Sequence, residues 1–233
     1  MIAELKEATL HFLSVFPLIL IIIKNYKKKI YSINLNYDKE MDRNGIYKSH
    51  FYLCILYIFL ITGMITVTGI PSLIDFGIRK EYLNFNIIPF YNNSIESNFL
   101  NIIMFIPFGF ILPLIWDKFK SFKNIFKTSF LFSLFIEFLQ IFNYRATDIN
   151  DLIMNTLGGI IGFSIYRIII CIYSKYFSNR YKNTEFNFKL PEKYNSIFVS
   201  NSEFIDFTVI PIILYILFGA FIRNYIIYIL LKI

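Results

Sequence analysis

Histidine is nearly absent from this chain of 233 residues, with His11 and His50 the only two. They do not stand at His-x-x-x-His spacing, and the two cysteines, Cys54 and Cys171, form no Cys-x-x-Cys motif. A zinc site, a disulfide framework and a His-dependent mechanism therefore have little material to draw on. Both cysteines fall inside apolar runs and read as small core residues. His11 is placed near the outer end of a first apolar run, where a satisfied helix histidine is the simpler reading. His50 falls on the opposite side and is discounted. Charged residues are few, at 17% of the chain. No internal repeat of the kind many transporters carry is visible.

The apolar content is high instead. The chain is 56% hydrophobic and 20% aromatic, with a mean hydropathy of +0.56. A soluble domain of this size would not carry so many long apolar runs. Six runs approach the roughly 17 to 25 residues that a membrane helix needs. They are Ala8–Ile23, Phe51–Ile70, Phe99–Trp116, Ile125–Asn143, Leu152–Tyr173 and Phe207–Leu231. The expected fold is all-α, a polytopic transmembrane helix bundle of five or six spans with no sheet. The first run is followed, not preceded, by its strongest positive cluster, Lys24, Lys27, Lys28 and Lys29. It lacks a small-residue cleavage site and reads as a retained span. Pro17 is expected to kink it. Arg223 lies inside the last run, which is expected to tilt or end early.

Basic residues set the orientation. The first loop holds Lys24, Lys27, Lys28, Lys29, Lys39, Arg43 and Lys48, and the second only Arg79 and Lys80. The third holds Lys118, Lys120 and Lys123, the fourth only Arg145, and the fifth Lys175, Arg180, Lys182, Lys189 and Lys193. Rich and poor loops alternate. The positive-inside rule places the first, third and fifth in the cytoplasm and both termini outside. This distribution, with basic residues in short loops, also argues against a nucleic-acid partner for the net charge of +7.

The same topology gathers polar residues at the outer leaflet. Asn101 lies near the outer end of the third run, Glu137 and Gln140 near that of the fourth, and Asp148, Asp151 and Asn155 at the start of the fifth. Ionisable groups at bilayer depth cost roughly 2.5 to 3.5 kcal/mol each and mark functional sites by default. Glu137 and Gln140 share a helix face. Glu137 stands six residues before Asn143, roughly 9 Å into the membrane. A carboxylate there needs a cation, water or a proton. Two readings stay open, a structural Glu137–Arg145 pair and a ligand or catalytic role. Thr147 or Asp148 can cap the fifth helix, and Asp151 suits its dipole. Asn155, Gly158 and Gly162 continue the Asp151 stripe, and Gly158 and Gly162 form a small-xxx-small pair for close helix approach. Pro107, Gly109 and Pro113 interrupt the third helix, where a bend or an opened cavity is expected. The segment Asn86-Ile-Ile-Pro-Phe90 is an apolar outer loop, re-entrant, lying in the interface, or a plain turn before Pro89.

Taken in order, these blocks resemble the VanZ-like family of bacterial membrane proteins. The matching blocks are Asn86-Ile-Ile-Pro-Phe90, Asn101-Ile-Ile-Met-Phe-Ile-Pro-Phe-Gly-Phe-Ile-Leu-Pro113, Ser133-Leu-Phe-Ile-Glu-Phe-Leu-Gln140 and Arg145-Ala-Thr-Asp-Ile-Asn-Asp-Leu-Ile-Met-Asn-Thr-Leu-Gly-Gly159. The resemblance covers roughly residues 50 to 170. It divides the chain into a first span with a basic loop (1–50), a VanZ-like membrane core (51–173) with Gly159 among its packing glycines, and a loop with an additional C-terminal span (174–233). It implies a multi-pass protein of the bacterial plasma membrane and a link to teicoplanin resistance, which the founding member is associated with and which does not rebuild the peptidoglycan precursor.

Three functions compete. The favoured one is a non-enzymatic protein binding an amphipathic envelope ligand at Asn101, Glu137, Gln140, Arg145, Asp148, Asp151 and Asn155. Membrane lipids, a lipid-linked cell-wall precursor or a glycopeptide antibiotic are the expected partners. No cofactor is evident, although the carboxylates and amides would suit a divalent cation such as magnesium or calcium. The second is an intramembrane enzyme on a lipid or wall precursor with Glu137 as general base; the cluster offers it no His, Cys or obvious Ser nucleophile. An ion-coupled transporter is the third.

Overall fold

The structure is a computed structural model that describes residues 20, 21, 24, 43–73, 85, 86, 88, 95–142, 147–177 and 201–231. Its α-helices in chain order are α1 (Arg43–Val67), α2 (Ile95–Ile115), α3 (Phe122–Gln140), α4 (Ile149–Phe177) and α5 (Asn201–Leu231). A 3-10 turn, Asp117–Lys120, links α2 to α3. The first apolar run, Ala8–Ile23, falls largely outside the described residues, as do Pro17, His11 and Arg145. The chain divides into two compact units, Met1–Gly77 with Ser202–Ile233, and Ile78–Asn201.

The first unit contains α1 and α5. Helix α1 ends at Gly69, whose φ of 68° only glycine adopts without strain. The N–H of Ile70 donates to Ile65 O and that of Gly69 to Thr66 O, a Schellman closure of the last carbonyls. Thr62 and Thr66 donate their hydroxyls to the carbonyls four residues earlier, so neither leaves a polar atom bare in an apolar setting. Thr208 Oγ1 donates to Phe204 O, which leaves Tyr57 as the donor in its 2.7 Å bond to Thr208 Oγ1. The apolar part of α1, Tyr52–Val67, is shorter than a full span, whereas Phe204–Phe221 in α5 is long and apolar enough to cross a membrane. That stretch stops before Arg223.

The second unit is the up-down-up trio α2, α3 and α4. Helix α2 runs through Pro107 and Pro113 without a break. Each proline removes one ladder donor, and the helix continues past both. Ile95–Ile115 and Ile149–Tyr173 are each long and apolar enough to span. Helix α3 differs, because its nineteen residues include Lys123, Lys127 and Glu137. The described residues thus hold three full-length candidate spans, all helical. The all-α bundle holds, with the number of spans approximate. One detail was not expected from the sequence. Phe85–Asn86 and Thr147–Asp148 pair as two-residue parallel strands, β1 and β2, too short to add a sheet layer.

Packing inverts the soluble pattern. On α3 the buried face carries Ser129, Ser133, Glu137 and Gln140 beside Ile125, Phe132 and Ile136. The exposed face carries Phe122, Phe126, Phe130, Leu134 and Phe138. Polar inside and apolar outside is how a helix sits in lipid, where no water competes for the buried groups. Phe132 of α3 stacks on Phe108 of α2 at 5.1 Å between ring centroids and meets Phe105 at 6.0 Å. At the turn into α3, Trp116 and Phe119 are buried edge to face. Lys120 pairs with Asp117 there.

Candidate functional site: a polar seam at one end of the trio

The alternating directions of α2, α3 and α4 put the start of α2, the end of α3 and the start of α4 at one end of the unit. The β1–β2 pair lies at that same end, setting Asn86 opposite Asp148 along the backbone. Of the segment 86–90, Ile88 is exposed, while Ile87, Pro89 and Phe90 lie outside the described residues.

Several polar residues there link two elements. Asn101 Nδ2 of α2 donates to Asp151 Oδ1 of α4 at 2.7 Å. Glu137 Oε2 of α3 accepts the Asp148 backbone N–H at 3.2 Å, tying the end of α3 to the entry of α4. Asp148 Oδ1 accepts the backbone N–H of Asn150 at 2.9 Å and its side-chain Nδ2 at 2.8 Å. This is an N-cap, the carboxylate meeting a donor of the first turn that has no intrahelical partner. One turn further along α4, Asn155 Nδ2 donates to Ser133 Oγ of α3 at 3.0 Å. Glu137 is 3% exposed and Asn155 2%, so the inner part of this seam excludes solvent, while Asn101, Asp148 and Asp151 are half-buried. Gln140 is buried one turn beyond Glu137.

Below the polar residues the helices close on glycine. A Cβ at Gly109 of α2 would overlap the Gly159 backbone of α4. One at Gly158 would overlap Ile102 O and lie 2.8 Å from Phe105 Cβ, and one at Gly162 would overlap Ile106 O. Gly159 is closed from the other side by the Ser129 side chain of α3. Pro113 is buried and Pro107 exposed.

The structure therefore brings together Asn101, Glu137, Asp148, Asp151 and Asn155, with Gln140 adjoining. The Glu137–Arg145 pairing lies outside the described residues. Three participants escaped the sequence reading of the site. Asn150, fully buried, holds the Asp148 cap. Ser133 and Ser129, also fully buried, precede Glu137 by four and eight residues on one helix face. That i, i+4, i+8 spacing within a Phe- and Leu-rich helix was a readable signal. Asn155 Oδ1 and Ser129 Oγ are buried with no hydrogen-bond partner among the described residues. Among the described residues, no three of His, Cys, Asp and Glu group to hold a metal ion.

Chemically the seam is rich in acceptors. Carboxylates stand at its mouth and neutral oxygens below them, walled by lipid-facing apolar residues.

Protein VanZ of Enterococcus faecium is 44% identical over 69 residues, covering 28% of this chain and 41% of that protein. The chain thus spans under half the length of this relative. No solved structure matches the chain. The sequence profile of the VanZ/LLP1 family matches residues 50–172, more than half of the chain. That interval takes in α2, α3, most of α4 and every polar link of the seam, and the chain belongs to the VanZ/LLP1 family.

Proposed function

We propose that this membrane protein lies in the bacterial plasma membrane and binds an amphipathic envelope ligand at the outward-facing end of the α2–α3–α4 trio. One observation carries the reading: polar side chains from three helices converge at one end of the trio, above its apolar middle, with Glu137 almost fully buried. Structural stitching alone would need fewer of them, because membrane helices associate on small residues and few polar contacts.

Charge distribution supports the orientation. Lys118, Lys120, Lys123 and Lys127 lie at the opposite end of the trio from Glu137, Asp148 and Asp151, and Lys175 closes α4 at that basic end. Basic residues favour the cytoplasmic side, so the acidic end faces out. The ligand enters between α3 and α4 with its apolar part in the lipid. A lipid-linked cell-wall precursor or a lipoglycopeptide such as teicoplanin has this shape, and capture of the antibiotic would contribute to resistance. A divalent cation joins only if amide oxygens or the ligand's own oxygens complete its shell.

The test is thermal stability and native mass spectrometry of the purified full-length chain in a detergent without sugars. Lipid-linked peptidoglycan precursor and teicoplanin are added separately, each with magnesium, calcium or EDTA. The expected result is a raised midpoint and an intact bound ligand, both lost in Glu137→Gln and Asp151→Asn variants that still reach the membrane. Wild-type ligand binding by both variants would reduce the cluster to scaffolding. Conversion of the precursor to product would make the protein an enzyme.

A further inference from the structure

The end of the trio opposite the acidic seam carries Lys118, Lys120, Lys123, Lys127, Arg167 and Lys175, with Asp117 the single acid among the described residues there. Two of these cations are engaged locally. Lys120 pairs with Asp117, and Lys118 lies over the Phe119 ring at 5.7 Å. Lys123, Lys127 and Arg167 are exposed and have no ion pair or hydrogen bond among the described residues.

These three flank one helix junction. The Phe122 ring of α3 meets Phe163 of α4 at 6.4 Å. Lys123 follows Phe122, Lys127 stands one turn further along α3, and Arg167 stands one turn beyond Phe163 on α4. The charges of Lys120, Asp117 and Arg167 are all felt at the Tyr166 hydroxyl, so the turn before α3 and this part of α4 share one electrostatic neighbourhood. Lys127 lies five residues into α3, roughly 7 Å along its axis, with Phe126, Phe130 and Leu131 exposed beside it. From there a lysine lays its methylenes on apolar surface and carries its ammonium back to the polar boundary.

Beside the lysines runs an apolar row. Phe122, Phe126 and Phe130 are exposed and stack in sequence, with ring centroids 6.4 and 6.3 Å apart. Hydrocarbon covers such rings but neutralises no cation. A soluble anion does the reverse. A phospholipid does both, and basic clusters at one end of a membrane bundle take anionic head groups. A zwitterionic head brings its own ammonium and offsets the gain.

We propose that Lys123, Lys127 and Arg167 hold the phosphate of an anionic phospholipid whose acyl chains lie along Phe122, Phe126 and Phe130. The site needs no cavity, because it is on the lipid-facing surface. It is separate from the acidic seam and does not rest on the function proposed for that end.

The test titrates the purified full-length chain, in a detergent without sugars, with phosphatidylglycerol, phosphatidylcholine or soluble glycerol phosphate. Native mass spectrometry and the thermal midpoint are the readouts. Phosphatidylglycerol is expected to bind about tenfold tighter than phosphatidylcholine and to raise the midpoint by several degrees. The double variant Lys123→Gln, Lys127→Gln is expected to weaken that binding roughly twentyfold, about fivefold for each charge removed. Arginine at both positions is expected to keep it. Lys175 stands eight residues beyond Arg167, roughly 12 Å along α4 and more than a screening length at physiological salt. Lys175→Gln removes the same charge from the same end and is expected to change binding by less than about twofold. Equal binding of the two lipids, or unchanged phosphatidylglycerol binding in the double variant, overturns the proposal. An equal loss in Lys175→Gln also overturns it, since a diffuse field and not a site would then attract the lipid. The same rise with glycerol phosphate removes the lipid as occupant. Glu137→Gln is expected to bind phosphatidylglycerol as wild type does, so a failure at the basic end is separable from one at the acidic end.

Discussion

Toward α2, helix α4 offers Gly158 and Gly162, and the two backbones come into direct contact. Toward α3 it offers Asn155 and Gly159, and contact is made by serine and amide side chains. The first face is joined by shape. Lipid is as apolar as leucine, so α2 and α4 gain no hydrophobic drive to associate and rely on close backbone packing. The second face is joined by hydrogen bonds, and it leaves two polar atoms unpaired. Unsatisfied buried atoms cost about 1 to 3 kcal/mol each. The α2–α4 face is therefore the fixed part of the unit, and the α3–α4 face is the part that still carries unsatisfied polar atoms. Gly159 lies where the two meet, its backbone against Gly109 and its Cα against Ser129.

The largest expected effect comes from breaking the fixed face. Gly109→Val places its side chain against the Gly159 backbone, and Gly162→Leu does the same against Ile106 O. Backbone cannot rotate away as a side chain can, so each should cost about 3 kcal/mol or more. Fluorescence-detected size exclusion should show aggregation or loss of the monodisperse peak. If both variants run and melt like wild type, the backbones do not touch in the membrane and the contrast between the faces disappears.

A smaller effect should come from the polar face. Gly159→Ala brings a Cβ 2.7 Å from Ser129 Cβ, too close for ordinary packing, and should cost about 1 to 3 kcal/mol. Here the obstacle is a side chain. Ser129→Gly in the same molecule should recover most of the loss, with thermal midpoints of all four proteins forming the cycle. Failure of the second substitution to rescue the first would mean that Gly159 answers only to α2.

How far the sequence anticipates this differs along the chain. Apolar runs located the helices because length and hydropathy are what the bilayer selects, but they did not mark helix ends. Helix α2 begins at Ile95 and not at Phe99, because Glu96, Ser97 and Asn98 remain helical outside the apolar run. Helix α4 extends from Ile149 to Phe177, beyond the run Leu152–Tyr173 at both ends, for the same reason. Charged residues at depth announced Glu137 and Asp151, since their cost demands an explanation. Ser129 and Ser133 raised no such alarm, because a membrane helix carries a hydroxyl cheaply on its own backbone carbonyls. The pairing of Phe85–Asn86 with Thr147–Asp148 could not be seen, because two residues have no periodicity to read.

One polar link crosses the otherwise apolar α2–α4 face, between Asn101 and Asp151. Alanine at either position should cost about 1.5 to 3 kcal/mol, the range for hydrogen bonds to charged groups. The double variant should cost less than the sum, with a coupling of about 0.5 to 3 kcal/mol in the thermal cycle. Additive losses would mean that each residue works through other partners, and the face would then be closed by glycine alone.

The smallest effect sharpens what is special about the trio's glycines. Gly63 stands inside α1, and a Cβ there would meet nothing within 4 Å. A helix-interior glycine without a close neighbour only adds backbone freedom to the unfolded chain, so Gly63→Ala should stabilise by about 0.5 to 1 kcal/mol. The same substitution at Gly162 should destabilise, because the added carbon meets Ile106 O and Phe110 N. Opposite signs for one chemical change, read as midpoints in the same detergent, would show that close approach and not helix propensity sets the requirement in α4. A loss at Gly63 would reveal that something packs on that face of α1 in the membrane, and glycine would then no longer distinguish the trio from the rest of the chain.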